Sequence, residues 1–347
     1  MTTTGVGFIG AGPVTQAIHL PAVAGLSDRL HVARVMDVDE GTAAAVAART
    51  GAAHGTSVEE LLADPAVEIV AVCSPHTFHT EQAEAACRAG KKAVLVEKPL
   101  ATTLDDARRI AKASQDTGVP IVVGAMHTYD PAWLAAERHW GDLPATARRV
   151  RSRIVLPPNS RFETLATQLH AEPVFPVRGG DPSDPAVRAA SIQAAILGLA
   201  IHNLPLVRRF LPHVERIDVA RPLAPFGYVL TFRGGGRTAE LIGYLHGGWR
   251  EEWSFEVWGD GGELRLDFTP SYVRAGSATA QLRTATGLRT FGPDSDNGYT
   301  AEWRHLAALA TGAEPLRYRA TDLVDDLAYA LDLAERAADL LLQGIAA

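Results

Sequence analysis

Over its first 125 residues the chain alternates short apolar runs with longer stretches of helical period, the pattern of parallel βαβ units. The expected strands are Val6–Ile9, Val32–Met36, Ile69–Cys73, Ala93–Val96 and Ile121–Val123. The third has no polar alternation, as a strand covered by helices on both faces requires. Helical patterns lie between them at Val14–Leu26, Glu40–Arg49, Thr77–Ala89 and Thr103–Thr117. The last opens with Thr103 as N-cap and Asp105 and Asp106 in its first turn, and it closes at Gly118 before Pro120. The expected fold class is therefore α/β, with a doubly wound parallel sheet of the Rossmann type over residues 1–125.

After about residue 145 the rhythm changes to successive strands of period two: Arg149–Leu156, Tyr228–Phe232, Thr238–Leu245, Ser254–Trp258 and Glu263–Phe268. Asp260-Gly261-Gly262 reads as a hairpin turn between the last two, because glycine tolerates positive φ. Residues 126–347 thus form a second, α+β domain with an open-faced, mostly antiparallel sheet. One long helix, Ala186–Phe210, interrupts the strands, and two more follow at Ala301–Thr311 and Thr321–Leu342, the last expected to pack back on the first domain. The Pro- and Gly-rich stretch Leu156–Pro185 reads as a long loop. The apolar positions Leu241, Trp253 and Trp258 point to a homodimer or homotetramer joined through the second sheet.

Charge and cysteine content narrow the function classes. A net charge of -7 argues against nucleic acid as a partner, since that binding needs a basic face. The run Arg148, Arg149, Arg151, Arg153 is read as the solvated face of a strand. Cys73 and Cys87 cannot build a disulfide framework and have no metal-ligand spacing; the expected home is the reducing cytoplasm. No export signal and no apolar run of about 18 residues is read in the chain, so no membrane partner is expected.

Val6-Gly7-Phe8-Ile9 runs into Gly10-Ala11-Gly12-Pro13-Val14-Thr15, which is Gly-x-Gly-x-x-Gly with threonine at the last position. The first glycine permits the tight turn, and the second lets a pyrophosphate approach backbone N–H groups at a helix start formed by Pro13 and Val14. Thr15 sits where close helix packing favours glycine, and it is expected to push the helix outward. Asp37 follows Gly12 by 25 residues, the spacing of an acid that binds ribose hydroxyls. With Asp39 beside it to repel a 2′-phosphate, the expected cofactor is NAD rather than NADP. The turn at Ser74 and Pro75 offers further backbone contacts to it.

The strand Ala93–Val96 delivers Glu97-Lys98-Pro99 at its carboxyl end, where ligands bind in open α/β sheets. Only four lysines occur in the chain, Lys91, Lys92, Lys98 and Lys112. A lysine partly desolvated beside a cofactor can exchange a proton with a substrate hydroxyl, while the structural reading of Lys98 is an ion pair with Glu97. His127 and Tyr129, after the last Rossmann strand, are candidate substrate contacts. His170 is read as exposed, and His76 and His79 lack a third ligand, so no metal is expected.

Together these motifs resemble the glucose-fructose oxidoreductase and inositol dehydrogenase family, Gfo/Idh/MocA. The resemblance rests on Gly7-x-x-Gly10-x-Gly12, Asp37, the run Glu59–Pro65, Ser74–His79 and above all Glu97-Lys98-Pro99. Farther along, Phe255–Gly259 with Gly262, and Tyr299 with Glu302, look like its second domain. It implies a tightly bound nicotinamide cofactor and redox chemistry at a sugar, amino-sugar or cyclitol carbon. Lys98 would transfer the proton, and the cofactor contacts would include His79, Glu97 and Lys98. The family's Asp-x-Gly-x-His-x-x-Asp is altered here: His202 stands at the histidine, Gly198 and Pro205 at the aspartates. His202 is therefore a candidate acid/base and substrate group without a carboxylate one turn away. Two other classes stay open: a hydrolase or lyase using NAD for transient oxidation, and a non-catalytic dinucleotide-binding regulator.

Overall fold

The computed structural model describes residues 3–170, 180–246 and 251–344. They divide into two compact units, one of residues 3–125, 163–170 and 299–327, the other of 126–162, 180–246, 251–298 and 328–344.

The first unit is built on six parallel strands: β1 (Thr4–Ile9), β2 (Leu30–Met36), β3 (Ala53–Gly55), β4 (Ile69–Val72), β5 (Ala93–Val96) and β6 (Ile121–Val123). Their order, β3-β2-β1-β4-β5-β6, reverses direction between β1 and β4, and this is the topological switch point of a Rossmann sheet. Strands β1, β4 and β5 are buried along their whole length, as their unbroken apolar sequences require. Helices α1 (Leu20–Ala24), α2 (Glu40–Ala48), α3 (Val58–Ala63), α4 (His79–Arg88) and α5 (Leu104–Thr117) make the crossovers. Thr103 caps α5 by accepting from Asp106 N–H, and Gly118 ends it at φ 74°.

In the second unit α6 (Pro131–Glu137) and α7 (Leu143–Thr146) lead into β7 (Ala147–Leu156). Helix α8 (Ser160–Ala166) stands within the stretch read as a loop, of which residues 171–179 lie outside the described residues. The expected helix Ala186–Phe210 is broken into α9 (Pro185–Gly198), a three-ten turn at Ala200–His202, and α10 (Leu204–Phe210). Gly198 and His202 therefore do not share a helix face, because α9 ends between them. Pro205, which has no N–H to continue a helix, sits instead in the first turn of α10.

Seven more strands follow: β8 (Arg216–Pro222), β9 (Phe226–Gly234), β10 (Arg237–Leu245), β11 (Glu252–Gly259), β12 (Gly262–Asp267), β13 (Thr279–Thr284) and β14 (Gly287–Phe291). The eight-stranded sheet runs β14-β13-β12-β11-β7-β10-β9-β8, antiparallel except for the parallel pair β7–β10. The expected hairpin joins β11 to β12 through Asp260 and Gly261. Helices α11 (Gly298–Thr311) and α12 (Ala320–Leu342) close the chain, and residues 320–327 of α12 group with the first unit.

Register separates the two faces of this sheet. Leu230, Leu241, Ser152, Phe255, Leu266 and Ala280 are paired across neighbouring strands and are buried. The adjacent row, Glu240, Arg151, Glu256 and Arg265, alternates in sign, with Arg151 at 3.7 Å from Glu240 and 3.3 Å from Glu256, and Arg265 at 2.6 Å from Glu256. Of the apolar positions read as an oligomer contact, Leu241 and Trp253 are buried inside the unit, and Trp258 lies under the Arg149 and Arg151 guanidinium groups. One correction concerns apolar length. The helical stretch Pro185–His202 is long and apolar enough to cross a membrane by composition, a test that a core helix also passes; here α9 packs on β8 and β9.

Candidate active site

In the first unit three turns meet at the carboxyl edge of the sheet, after β1, β4 and β5. The turn after β1 shows why its two glycines differ. Gly10 has φ +98°, and a Cβ there would stand 2.7 Å from the Cys73 carbonyl oxygen, so the backbone itself demands glycine. At Gly12, where φ is not positive, a Cβ would meet no atom within 4 Å. Neither strain nor packing within the chain explains that glycine; the open space over Gly12, Pro13 and Val14, all partly exposed, fits a pyrophosphate.

Thr15 does not push the helix away. Its hydroxyl donates to Gly10 O at 2.7 Å, and Thr15–His19 form a π-helical turn ahead of α1, all of it buried. Asp37 closes the glycine turn, its Oδ2 accepting from Ala11 N–H at 2.8 Å and its Oδ1 from Asp39 N–H at 3.1 Å. Asp39 is the N-cap of α2, and the Thr42 N–H and hydroxyl hold its carboxyl below the ordinary range. The two carboxylates give this rim of the turn a negative charge. Gln16 lies buried beneath, its amide nitrogen donating to Ala11 O and His170 O and its oxygen accepting from His170 N–H.

The turns after β4 and β5 are tied together by His79. Nδ1 lies 2.9 Å from Pro99 O and Nε2 3.0 Å from Ser74 O, and the ring is fully buried. His79 thus lies between the two turns with both ring nitrogens against backbone carbonyls. Ser74 donates its hydroxyl to Gln82 at 2.5 Å, and Pro75 is exposed at the turn.

Glu97 is buried as well. Its Oε1 accepts from His19 Nε2 at 3.0 Å, and its Oε2 accepts from the Lys98 N–H at 3.0 Å. Burial alone would push this carboxyl up, but the His19 bond, with the Lys98 charge and N–H, holds it below the ordinary range. Glu97 is thus a support beneath Lys98 and not itself an exposed cofactor contact. A Cβ at Gly124 would fall 2.9 Å from Glu97 Oε1, so glycine there makes room for the carboxylate.

The four lysines divide by what their ammonium groups do. Lys91 donates to the Val67 and Asp64 carbonyls, Lys92 pairs with Glu68, and Lys112 pairs with Asp116. Among the described residues none hydrogen-bonds Lys98 Nζ. Burial holds Lys98 below an ordinary lysine, against the opposing Glu97 charge.

In the second unit His127 is the best-defined polar group. Its Nδ1 lies 2.7 Å from Asn203 Oδ1, which also accepts from Trp253 Nε1 at 3.1 Å, while Asn203 Nδ2 donates to Ser152 Oγ at 2.9 Å. Its ring stacks on Phe268 at 3.8 Å. An acceptor at Nδ1 places the proton there and leaves Nε2 with its lone pair. His202 sets its ring edge-on to Trp253 at 5.4 Å. Tyr129 is buried in the unit much as His127 is, at 3% against 4% exposure. No group of three or more His, Cys, Asp or Glu able to hold a metal is found among the described residues.

Reading motifs in order along the chain missed His19, Gln16 and Asn203. Their one available signal was a polar residue inside an apolar helical run, which is ordinarily a satisfied core group.

Comparison with known proteins agrees with this geometry. Residues 4–125 match the model of an oxidoreductase family with an NAD-binding Rossmann fold. A curated inositol 2-dehydrogenase from Saccharopolyspora erythraea is 40% identical over 138 residues, which are 39% of this chain and 40% of that protein. The chain spans less than half the length of the curated relatives it matches. GenD2 from gentamicin A biosynthesis, solved with NAD, shares the fold at TM-score 0.71 and 22% identity, covering 98% of this chain and 95% of that one. KijD10, a 3-ketoreductase from Actinomadura kijaniata solved with NADP and TDP-benzene, superposes at TM-score 0.69 and 18% identity, covering 99% and 98%.

Proposed function

We propose that this chain, whose residues 4–125 match the Gfo/Idh/MocA oxidoreductase family, is an NAD-dependent oxidoreductase acting at a hydroxyl or keto carbon of a sugar, amino sugar or cyclitol. The observation that carries this reading is the carboxyl edge of the first sheet. There an open glycine turn and the Lys98 turn flank the turn after β4, and of the four lysines Lys98 is the one whose ammonium group has no hydrogen bond among the described residues. The substrate class follows the inositol dehydrogenase relative.

A bound nicotinamide would supply the hydride chemistry. The residues of the chain divide the remaining work. The backbone N–H groups of Gly12 and Val14 bind the pyrophosphate, and Asp37 and Asp39 select the unphosphorylated ribose. Lys98 Nζ takes the proton of the substrate hydroxyl in oxidation and returns it in reduction. Within the second unit, Asn203 fixes the tautomer of His127 with Nε2 as an acceptor, which favours it over His202 as the group there suited to a hydroxyl. NAD with a panel of cyclitols and sugars should give a steady change in nicotinamide absorbance. Product without that change would favour transient oxidation, and NAD binding with neither would leave a regulator.

A further inference from the structure

Glu97 and Lys98 are neighbours of opposite charge, yet among the described residues Lys98 Nζ has no hydrogen-bonded partner. The reason lies on the other side of Glu97. Its two oxygens are engaged by His19 Nε2 and by the Lys98 backbone N–H, so the carboxylate points into the sheet. His19 is itself fixed from beyond: the indole Nε1 of Trp303 donates to its Nδ1 at 3.1 Å. Burial lowers the His19 pKa, but Cys73 and Glu97 together raise it to about 10; against that stands the indole, which only donates and so needs a lone pair at Nδ1. His19 is therefore the Nε2–H tautomer, and that proton belongs to Glu97. The other ionisable group close by is Glu302, whose carboxyl burial raises far into the neutral form, with the Glu97 charge adding to the effect. His76 lies near enough to feel the Lys98 charge, and its pKa is lowered by partial burial first and then by His79 and Lys98.

We propose that His19, held by Trp303, is a positioning residue that keeps the Glu97 carboxylate turned away from Lys98, leaving the lysine free to exchange a proton with substrate. The role rests on the reading of Lys98 as the proton-transfer group. Without the His19 donor, Glu97 keeps one hydrogen bond and a buried charge, and the nearest cation able to satisfy it is the Lys98 ammonium.

The scarcity of lysine makes the test direct. Full-length protein labelled at lysine side chains gives four side-chain signals, with Lys98 assigned by its loss in Lys98→Arg. In His19→Leu the Lys98 titration midpoint should rise by about one pH unit or more, the effect of bringing an opposite charge into contact. In His19→Gln, whose amide N–H can replace Nε2–H, it should return toward the parent value. Trp303→Phe keeps the ring packing and removes the donor to Nδ1, so a smaller rise is expected, and it serves where His19→Leu does not fold. Midpoints unchanged or lowered in the folded variants would overturn the proposal. The titration needs no turnover, so it stands apart from the reading of Lys98, which fails separately if Lys98→Met retains activity.

Discussion

Asn203 Oδ1 stands 2.7 Å from His127 Nδ1, and an amide oxygen thereby fixes which nitrogen of a buried imidazole carries the proton. Burial, only partly opposed by this bond, pushes the His127 pKa down to about 3. An unfolded histidine titrates near 6.5. Between those two values the unfolded chain binds a proton that the native chain refuses, so stability falls as the pH drops below about 6.5. Chemical denaturation between pH 6 and pH 4 should show this group contributing up to about 1.4 kcal/mol per pH unit. The slope should flatten in His127→Phe; equal slopes would mean that His127 is charged in the native state.

The two glycines of the first turn should fail in different ways. Gly10→Ala places a side chain at φ +98° and against the Cys73 carbonyl, so it should lose about 1–3 kcal/mol or more of stability. Gly12→Ala should melt as the parent does, yet lose NAD affinity by on the order of tenfold, about 1.4 kcal/mol. Thermal melts and calorimetric NAD titrations of both variants distinguish these outcomes. A Gly12→Ala protein that binds NAD at full strength contradicts the assignment of the open space to a pyrophosphate.

Lys98→Met should reduce turnover by on the order of 10²–10⁴ while leaving NAD affinity nearly intact. In the parent enzyme, alcohol oxidation needs the neutral amine, so kcat/KM should rise with pH through a midpoint below that of an ordinary lysine, because burial disfavours the ammonium. Kinetics of both proteins across pH check the sign. A profile that falls over that range would mean Lys98 acts as an acid in this direction.

Asp37→Asn keeps an oxygen for the Ala11 N–H and removes the charge. The preference for NAD over NADP, measured by calorimetry with each nucleotide, should narrow by on the order of tenfold. An unchanged ratio would shift the selection to Asp39 or to another group.

How much of this was legible beforehand follows from how local each signal is. Strands Ala93–Val96 and Ile121–Val123 were read at their observed bounds, because an unbroken apolar run between turn residues has one good solution in a covered sheet. Strand Gly287–Phe291 is almost wholly exposed and carries no apolar face to find. Helix α9 was overrun because its end at Gly198 leads into a three-ten turn and another helix with no change in apolar content. In the site, Gly10, Gly12, Asp37 and Lys98 were legible because each belongs to a short motif. His19, Glu97 and Trp303 stand far apart in sequence, so only the folded chain relates them.

The π-helical turn at Thr15–His19 sets a phase. A turn closed by i→i+5 bonds carries each residue less far around the axis than an α-helix does, so every side chain after Thr15 is rotated back relative to the sheet. Threonine in place of the third glycine and histidine beneath the Glu97-Lys98 turn are thus one mechanical arrangement, the wider winding that accommodates the first aiming the second. Winding the same residues as an ordinary α-helix, with none deleted, would carry the imidazole farther around the axis and off its carboxylate, leaving the glycine turn itself in place.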